Sequence, residues 1–200
     1  MINIFSFLAL IISITIHEFC HAFAADRLGD PTPRSLGRLT LNPIAHADPI
    51  GTVLLPLLSA FTGIATIGWA KPVIIDPYNL KNPKRDEIII SLSGPMGNIL
   101  LAIICALISK IFGVQNILIY LLILINVSLA VFNLLPIPPL DGSKIFLNLI
   151  PVDKSLQWQE TFDRYGFILL IILVFLPIGG APIFQTIMSP IVKFILSLLL

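Results

Sequence analysis

Two histidines four residues apart are the side chains of this 200-residue sequence that are best spaced for chemistry. Residues 17–21 read His-Glu-Phe-Cys-His, and on a helix positions i and i+4 share a face, so the imidazoles of His17 and His21 converge. Two nitrogen ligands at this spacing are typical of a zinc site. Glu18 lies about 100° further round the helix, where its carboxylate could take a proton from a water that the metal activates. The pattern predicts metal-assisted hydrolysis with Glu18 as the general base.

The apolar surroundings of this motif favour a metal site over a purely structural role. Residues 1–16 carry no charged side chain and no histidine, and His17, Glu18 and His21 follow directly. Ionisable side chains inside a membrane segment cost about 2.5–3.5 kcal/mol each on insertion scales. A helix with only a structural role has nothing to offset three such costs, whereas binding a metal ion does offset them.

A catalytic zinc site of this kind needs a third protein ligand and leaves one position open. Asp141 is the candidate, because it ends a later hydrophobic run on the side of the membrane where His17 and His21 lie. Prolines at 136, 138 and 139 should unwind the helix and turn Asp141 inward, and Gly142 allows a tight turn after it. Since an Asp-Gly pair alone is an ordinary turn signal, the prediction depends on the shared membrane depth of the three ligands.

The composition predicts that membrane helices hold these residues. Hydrophobic residues make up 56% of the chain and charged residues 12%, against roughly 45–50% and about 25% in globular domains. The mean hydropathy is +0.98. A net charge of +1 excludes strong attraction to nucleic acid, and two cysteines, Cys20 and Cys105, exclude a disulfide framework. We expect an α-helical polytopic membrane protein that binds no nucleic acid.

Uncharged runs are the candidates for the membrane segments, since a spanning helix needs about 20 apolar residues. These runs cover residues 1–16, 49–70, 88–109, 111–140 and 165–192. The first is long enough only if its helix continues through residues 17–21, and the last is interrupted by Pro177, Gly179, Gly180 and Pro182. We expect about five to six hydrophobic segments in one membrane-embedded domain, residues 1–200, with a catalytic core at about 1–150 and a C-terminal helical hairpin at about 163–200.

The run at 49–70 combines glycines, threonines and Pro56 with apolar residues, which is more typical of a re-entrant or interfacial segment than of a spanning helix. Residues 34–41 and 68–75 are expected to pair as a small antiparallel β-sheet at the cytoplasmic surface. Pro72 lacks an N–H group and restricts the second segment to an edge position. This edge, or the re-entrant segment, is expected to hold a substrate in an extended conformation by strand addition.

Loop charges orient the expected helices. Ten Lys and Arg side chains lie between the first and second runs, between residues 71 and 85, or between the fourth and fifth runs, whereas the turn between the third and fourth runs carries only Lys110. Positively charged loops tend to remain in the cytoplasm. The N-terminus is therefore expected outside the cell membrane, with the metal site towards the cytoplasmic side.

These residues resemble the motifs of the site-2 protease family of intramembrane zinc metalloproteases, in its compact prokaryotic form. The resemblance rests on residues 17–21 and on residues 133–142, which end in Asp-Gly. Between them lie Asn-Pro at 42–43 with His-Ala-Asp-Pro at 46–49, Gly-Trp-Ala-Lys-Pro-Val at 68–73 and Ser-Gly-Pro-Met-Gly-Asn at 93–98. The motifs cover about residues 13–145 in a specific order. The PDZ-like or CBS-like domain of larger family members is not recognisable in this sequence.

The resemblance implies one Zn²⁺ ion bound by His17, His21 and Asp141, with Glu18 as general base and acid. Asn98, beyond a Gly-Pro break, matches a family asparagine that supports the site. It is expected to donate to the developing oxyanion or, alternatively, to make a helix-packing hydrogen bond. The expected substrate is a membrane protein in the lipid bilayer, cleaved within or beside a transmembrane segment.

Several features have two interpretations. His46 is expected to brace a polar loop between Pro43 and Pro49, although an approach to the metal is the alternative. Cys20 and Cys105 are expected to be buried apolar side chains. The same His/Asp cluster also fits a membrane metal-ion transporter, whose repeated halves are not visible here, or an inactive homologue that serves as a scaffold. The sequence contains no signal for an oligomeric state or a particular substrate.

Overall fold

The computed structural model describes residues 4–48, 51, 71–114, 116–178 and 181–200, and within them the chain is mainly helical. A 3-10 helix covers Pro77–Asn79, and strands β1 (Pro177–Ile178) and β2 (Ala181–Pro182) form an antiparallel pair. The helices are α1 (Ile4–Leu28), α2 (Thr32–Ser35), α3 (Pro43–His46), α4 (Pro83–Phe112), α5 (Ile117–Asn133), α6 (Asp141–Leu149), α7 (Val152–Phe175) and α8 (Ile183–Leu199). The predicted α-helical architecture is confirmed.

Helices α1 and α4 are long and apolar enough to cross a membrane, with 25 and 30 residues. At about 1.5 Å per residue they extend for about 37 and 45 Å, which exceeds a hydrocarbon core of about 30 Å. Helices α5 and α8 are apolar as well, with 17 residues each. Helix α1 continues through residues 17–21. This was expected, because the uncharged run at residues 1–16 is too short to span a membrane by itself. The His-Glu-Phe-Cys-His motif therefore lies on regular helix.

Helices α1, α4 and α5 pack closely against one another. Small buried residues permit this approach, since close helix contacts in membranes favour short side chains; they are Ala9, Ala22 and Ala25 of α1 and Gly94, Gly97 and Ala102 of α4. An apolar cluster joins α4 and α5 to α8 through Ala106, Ile123, Val127, Met188 and Val192. The His-Glu-Phe-Cys-His motif is thus enclosed by packed helices.

The prolines of the sequence affect helices α4 and α5 differently. Helix α4 runs through Pro95 without interruption, unlike the break expected at the Gly-Pro pair. A proline removes one intrahelical hydrogen bond, and a helix in a bundle tolerates that loss when neighbouring groups satisfy the backbone. Helix α4 ends instead at Phe112, before Gly113 in the left-handed conformation at φ 63°. Helix α5 ends at Asn133, just before the prolines that were predicted to stop it.

The antiparallel sheet expected from residues 34–41 and 68–75 is not formed in the described part of the chain. Thr32–Ser35 is helical, and Gly37 has a positive φ of 68°. The backbone N–H of Arg38 donates to the Pro33 carbonyl and its guanidinium donates to the Ala45 carbonyl, so local hydrogen bonds replace a strand ladder. Residues 71–75 do not form a strand. Residues 68–70, and almost all of the re-entrant run predicted at 49–70, lie outside the described residues.

A buried carboxylate connects the end of α1 to the 3-10 helix. Asp30 is 0% exposed and accepts hydrogen bonds from the backbone N–H groups of Thr32 (3.0 Å) and Asp76 (2.8 Å) and from the Asn79 amide (2.9 Å). Burial by itself would raise the pKa of Asp30, but these hydrogen bonds outweigh it and lower the pKa below its ordinary 3.8. The ionised carboxylate therefore stabilises this part of the fold.

We expect Asp30→Asn to destabilise the protein by about 1–3 kcal/mol at neutral pH, because an asparagine cannot accept bonds from all three N–H donors. The stabilisation is complete above the ordinary carboxyl pKa and disappears as the pH falls through the lowered pKa of the folded state. Thermal unfolding in detergent across acidic pH measures this difference, with the exposed Asp163→Asn change as control. A wild-type advantage that is the same at every pH would contradict the account.

Candidate metal centre

His17 and His21 lie on the face of α1 that is buried against α4. The Nδ1 atom of His17 faces Oδ1 of Asn98 at 2.7 Å, and the Nδ1 atom of His21 faces the Ile90 carbonyl oxygen at 2.7 Å. Both partner oxygens accept hydrogen bonds, so each Nδ1 carries a proton. In the neutral form of the rings the two Nε2 atoms, which lie 3.0 Å apart, are unprotonated.

Asp141 completes the cluster. Its Oδ2 atom lies 3.1 Å from Nε2 of His17 and 3.2 Å from Nε2 of His21. With both Nδ1 atoms protonated, three electron-pair donors face one another, which is repulsive unless a cation or a further proton lies among them. Tetrahedral zinc ligands about 2.0–2.1 Å from the metal stand about 3.3 Å apart, close to the observed spacing. Two imidazole nitrogens and one carboxylate oxygen therefore fit Zn²⁺.

The segment between α5 and α6 brings Asp141 to the histidines. Residues 134–140 form irregular turns, and Asp141 begins α6 directly after them. A Cβ atom added at Gly142 would lie 2.3 Å from the carbonyl oxygen of Leu134 and 2.4 Å from that of Leu135. Only glycine permits this contact. The prolines end the helix, and Gly142 lets the chain fold back tightly enough to place Asp141.

Gly94 lets α4 approach the two imidazoles closely. A Cβ atom there would lie 2.3 Å from Nε2 of His21 and 2.7 Å from Cε1 of His17. A Cβ atom at Gly97 would instead meet Sγ of Cys20 at 2.4 Å. Both glycines are positions of close helix packing, and Gly94 has a further effect, because its missing side chain leaves space beside the Nε2 atoms.

Glu18 lies beside the cluster, at the wall of a cavity of about 380 Å³. Its Oε2 atom accepts a hydrogen bond from the backbone N–H of Val73 at 3.1 Å. The carboxylate is not among the grouped metal-ligand atoms. The cavity also has apolar walls, formed by Ile14, Val73, Ile75, Leu129, Phe132 and Leu140. The Glu18 carboxylate is thus held next to the candidate ligands inside a largely apolar cleft.

Asn98 lies behind His17 and is 0% exposed. Its Nδ2 atom donates to the Ser13 carbonyl at 2.9 Å and to Oδ1 of Asn126 at 2.7 Å. Both amide hydrogens are committed, so the expected donation to an oxyanion has no available donor in this arrangement. The structure contains the other expected arrangement, hydrogen bonds between helices. In addition, Oδ1 of Asn98 accepts from Nδ1 of His17, a candidate metal ligand.

His46 joins two loops and is 1% exposed. Its Nε2 atom donates to the Thr40 carbonyl at 2.8 Å, and its own carbonyl accepts from the Lys71 N–H at 3.1 Å. It does not belong to the group of ligand atoms around Asp141. These contacts correspond to the loop-bracing interpretation. Cys105 is buried in the apolar cluster of α4, and Cys20 is partly buried.

Three groups that support the site were not singled out from the sequence: the Asn126 side chain, the Ile90 carbonyl and the Val73 N–H. Asn126 had a detectable signal, because a polar side chain within the apolar run 111–140 is unusual in a membrane helix. The two backbone groups had none, since nearly every residue supplies the same N–H and carbonyl.

Two buried imidazoles and a carboxylate, with a separate glutamate beside them, define the site of a metal-dependent hydrolase. The chain belongs to Peptidase family M50, which it matches over residues 5–118 and 112–175. The resemblance found in the sequence motifs is confirmed at the level of the family. The family implies a Zn²⁺ cofactor, and His17, His21 and Asp141 are placed to hold it.

Named relatives of the chain come from bacteria and archaea. It is 35% identical over 185 residues to "Putative zinc metalloprotease YwhC" of Bacillus subtilis, covering 86% of this chain and 81% of that protein. It is 32% identical over 174 residues to "Putative zinc metalloprotease Rip2" of Mycolicibacterium smegmatis, covering 84% and 65%. "Zinc metalloprotease MJ0392" of Methanocaldococcus jannaschii is 28% identical over 143 residues, covering 70% and 32%. No solved structure matches the chain.

Proposed function

We propose that the chain is an intramembrane zinc metalloprotease that hydrolyses peptide bonds within or next to transmembrane segments of membrane proteins. The observation that carries the proposal is the position of Glu18. Its carboxylate lies at the wall of the cavity that His17, His21 and Asp141 also line, yet it stands outside their ligand group. A free base next to a three-ligand metal site is what hydrolysis by water requires.

Each side chain then has a defined task. When bound, Zn²⁺ supplies Lewis acidity and lowers the pKa of water to about 7. Glu18 accepts a proton from the attacking water and returns it to the leaving amine. The Val73 N–H holds one carboxylate oxygen of Glu18 at 3.1 Å and keeps the base in place between the two transfers. The bonds at Nδ1 of His17 and His21 leave both Nε2 atoms available as ligands.

The outer surfaces of the helices support a location in the membrane. Large apolar side chains are exposed along α4 and α7, including Leu100, Ile103, Leu107, Ile111, Phe167 and Ile168. Contiguous apolar surface is rare on soluble monomers but is suited to lipid. We propose a multi-pass protein with its site towards the cytoplasm, following the loop charges. Residues 1–200 would form one domain, with the catalytic core at about 1–150 and a C-terminal helical hairpin at about 163–200.

The size of the cavity supports a locally unwound substrate. An α-helix with its side chains is about 10–12 Å wide, and its carbonyl groups are engaged within the helix. A cleft of about 380 Å³ accommodates a few side chains of an extended segment. The substrate helix would therefore have to open around the cleaved bond, and the apolar walls suit the apolar side chains of a membrane segment.

Removal of the metal tests the proposal. We expect the purified protein in detergent to cleave a transmembrane peptide, to lose this activity after chelation and to regain it with Zn²⁺. Mg²⁺, which prefers oxygen ligands, serves as control and should not restore cleavage. Mass spectrometry of the products locates the cleaved bond. Cleavage that survives complete removal of the metal would contradict the proposal, and zinc uptake into proteoliposomes without peptide cleavage would indicate the transporter instead.

A further inference from the structure

We propose that Asn126 of α5 is a positioning residue for the metal site. It holds the Asn98 carboxamide, and through it the His17 ring, in the orientation that leaves Nε2 of His17 unprotonated. The inference rests on the zinc site of the proposed function, but it concerns hydrogen bonds that exist without the metal and without any substrate.

Hydrogen bonds connect three helices behind the site. Asn98 donates from Nδ2 to Oδ1 of Asn126 at 2.7 Å and to the Ser13 carbonyl at 2.9 Å, while its Oδ1 faces Nδ1 of His17 at 2.7 Å. Asn126 donates from Nδ2 to Oγ of Ser13 at 2.7 Å and to the Leu122 carbonyl at 2.8 Å. Asn98, Asn126 and Ser13 are each 0% exposed. The chain of bonds thus joins α1, α4 and α5 away from water.

The direction of each bond follows from groups that can only accept. The Ser13 hydroxyl donates to the Ala9 carbonyl at 2.7 Å, so its oxygen accepts from Asn126. Asn126 is therefore oriented with its own oxygen towards Asn98. Asn98 uses both amide hydrogens on its acceptors and presents its oxygen to His17, which must donate from Nδ1.

This orientation decides whether His17 can bind a metal. A neutral imidazole has one protonated and one free nitrogen, and a hydrogen on Nε2 would block the atom that faces Asp141. In an apolar interior, water cannot replace a lost hydrogen bond, which makes other arrangements of the three buried side chains costly. Asn126 thereby favours the metal-binding form of His17 from two side chains away.

Nitrogen-15 NMR of histidine-labelled apoprotein tests the assignment directly. The chain has three histidines, and the structure assigns Nδ1–H to His17 and His21 and Nε2–H to His46. For the neutral form of the rings, we expect two Nδ1–H rings and one Nε2–H ring in the wild type. A wild-type spectrum without two Nδ1–H rings would overturn the proposal.

Two substitutions separate positioning from packing. Asn126→Asp, which is protonated in these apolar surroundings, keeps an acceptor for Asn98 and a donor for Leu122, so we expect wild-type tautomers and a zinc affinity within about twofold. Asn126→Leu keeps the volume but removes the acceptor, and we expect a mixed tautomer at one ring and about tenfold weaker zinc binding. If Asn126 only filled space, leucine would be the milder change.

Zinc affinity is measured by competition with a chromophoric chelator in detergent, and Val127→Ala, a buried neighbour outside the bonded chain, controls for lost packing. An Asn126→Leu protein with wild-type affinity and tautomers would overturn the proposal. If leucine prevents folding, Asn126→Ala removes the same acceptor without the bulk of leucine, and a mixed tautomer is again expected. Neither readout uses cleavage, so failure of the protease proposal would be seen separately.

Discussion

Replacement of Glu18 by glutamine is expected to lower the rate of peptide hydrolysis at least about 100-fold while the zinc content stays unchanged. Glutamine keeps the shape of the side chain and an oxygen that accepts the Val73 N–H, so the contact seen at 3.1 Å survives. What it loses is the ability to take a proton. Because Glu18 stands outside the group formed by the ligand atoms, we expect the zinc ligands to remain complete in this variant.

The measurement pairs elemental analysis of zinc with cleavage of a transmembrane peptide for both proteins. Glu160→Gln is the matched control, because it makes the same chemical change at an exposed position of α7 and should alter neither readout. Full cleavage by Glu18→Gln would remove Glu18 from the role of base. If the Glu18→Gln protein lost both its zinc and its cleavage activity, Glu18 would instead be identified as a metal ligand.

Gly94→Ala is expected to weaken zinc binding strongly. Substitution of residues that hydrogen-bond to metal ligands usually lowers metal affinity about 10–100-fold, and we expect a larger loss here. The added methyl group would lie 2.3 Å from Nε2 of His21, so either it occupies the metal position or the imidazoles move apart. Alanine is otherwise the better helix former by about 1 kcal/mol, so the helix itself has no reason to fail. Loss of affinity with retained helix content is the expected combination.

Gly97→Ala is the comparison for this prediction, since it places the same methyl group on the same helix, three residues further on. Its Cβ atom would meet the Cys20 side chain rather than the imidazoles. We expect this variant to keep its zinc affinity, although its thermal stability falls. Chelator competition on both apoproteins, with circular dichroism to follow the helices, distinguishes the two sites. Equal affinities for Gly94→Ala and the wild type would show that α4 does not limit the metal position.

The spacing of His17 and His21 predicted their convergence correctly because the relation is local. Side chains four residues apart on a helix must share a face, whatever the rest of the fold does. The position of Asp141 could also be predicted from local features. The prolines before Asp141 stop a helix by covalent geometry, and Gly142 after it allows a turn. These parts of the site follow from rules that act within one turn or one loop.

The predictions that failed or changed involve competition between local and distant partners. Residues 34–41 had the polarity of a surface strand, but hydrogen bonds from Arg38 to Pro33 and Ala45 form a compact turn instead. The Gly-Pro pair in α4 did not break the helix, because the packed bundle tolerates one missing bond. Asn98 was expected to face an oxyanion or a neighbouring helix. Its amide group donates to Ser13 and Asn126, which are 85 and 28 positions away in the sequence, so it bonds to neighbouring helices.

The sequence by itself determined the membrane-type composition, the helical period and the identity of the residues that we propose to bind zinc and move a proton. Those properties depend on residue type and short spacing. Only the tertiary structure decided how Gly94 makes room beside the imidazoles, which backbone N–H holds Glu18, and how Asn126 orients Asn98 behind His17. These contacts join segments far apart in the chain, and their geometry is set by the packing of α1, α4 and α5, which no local pattern encodes.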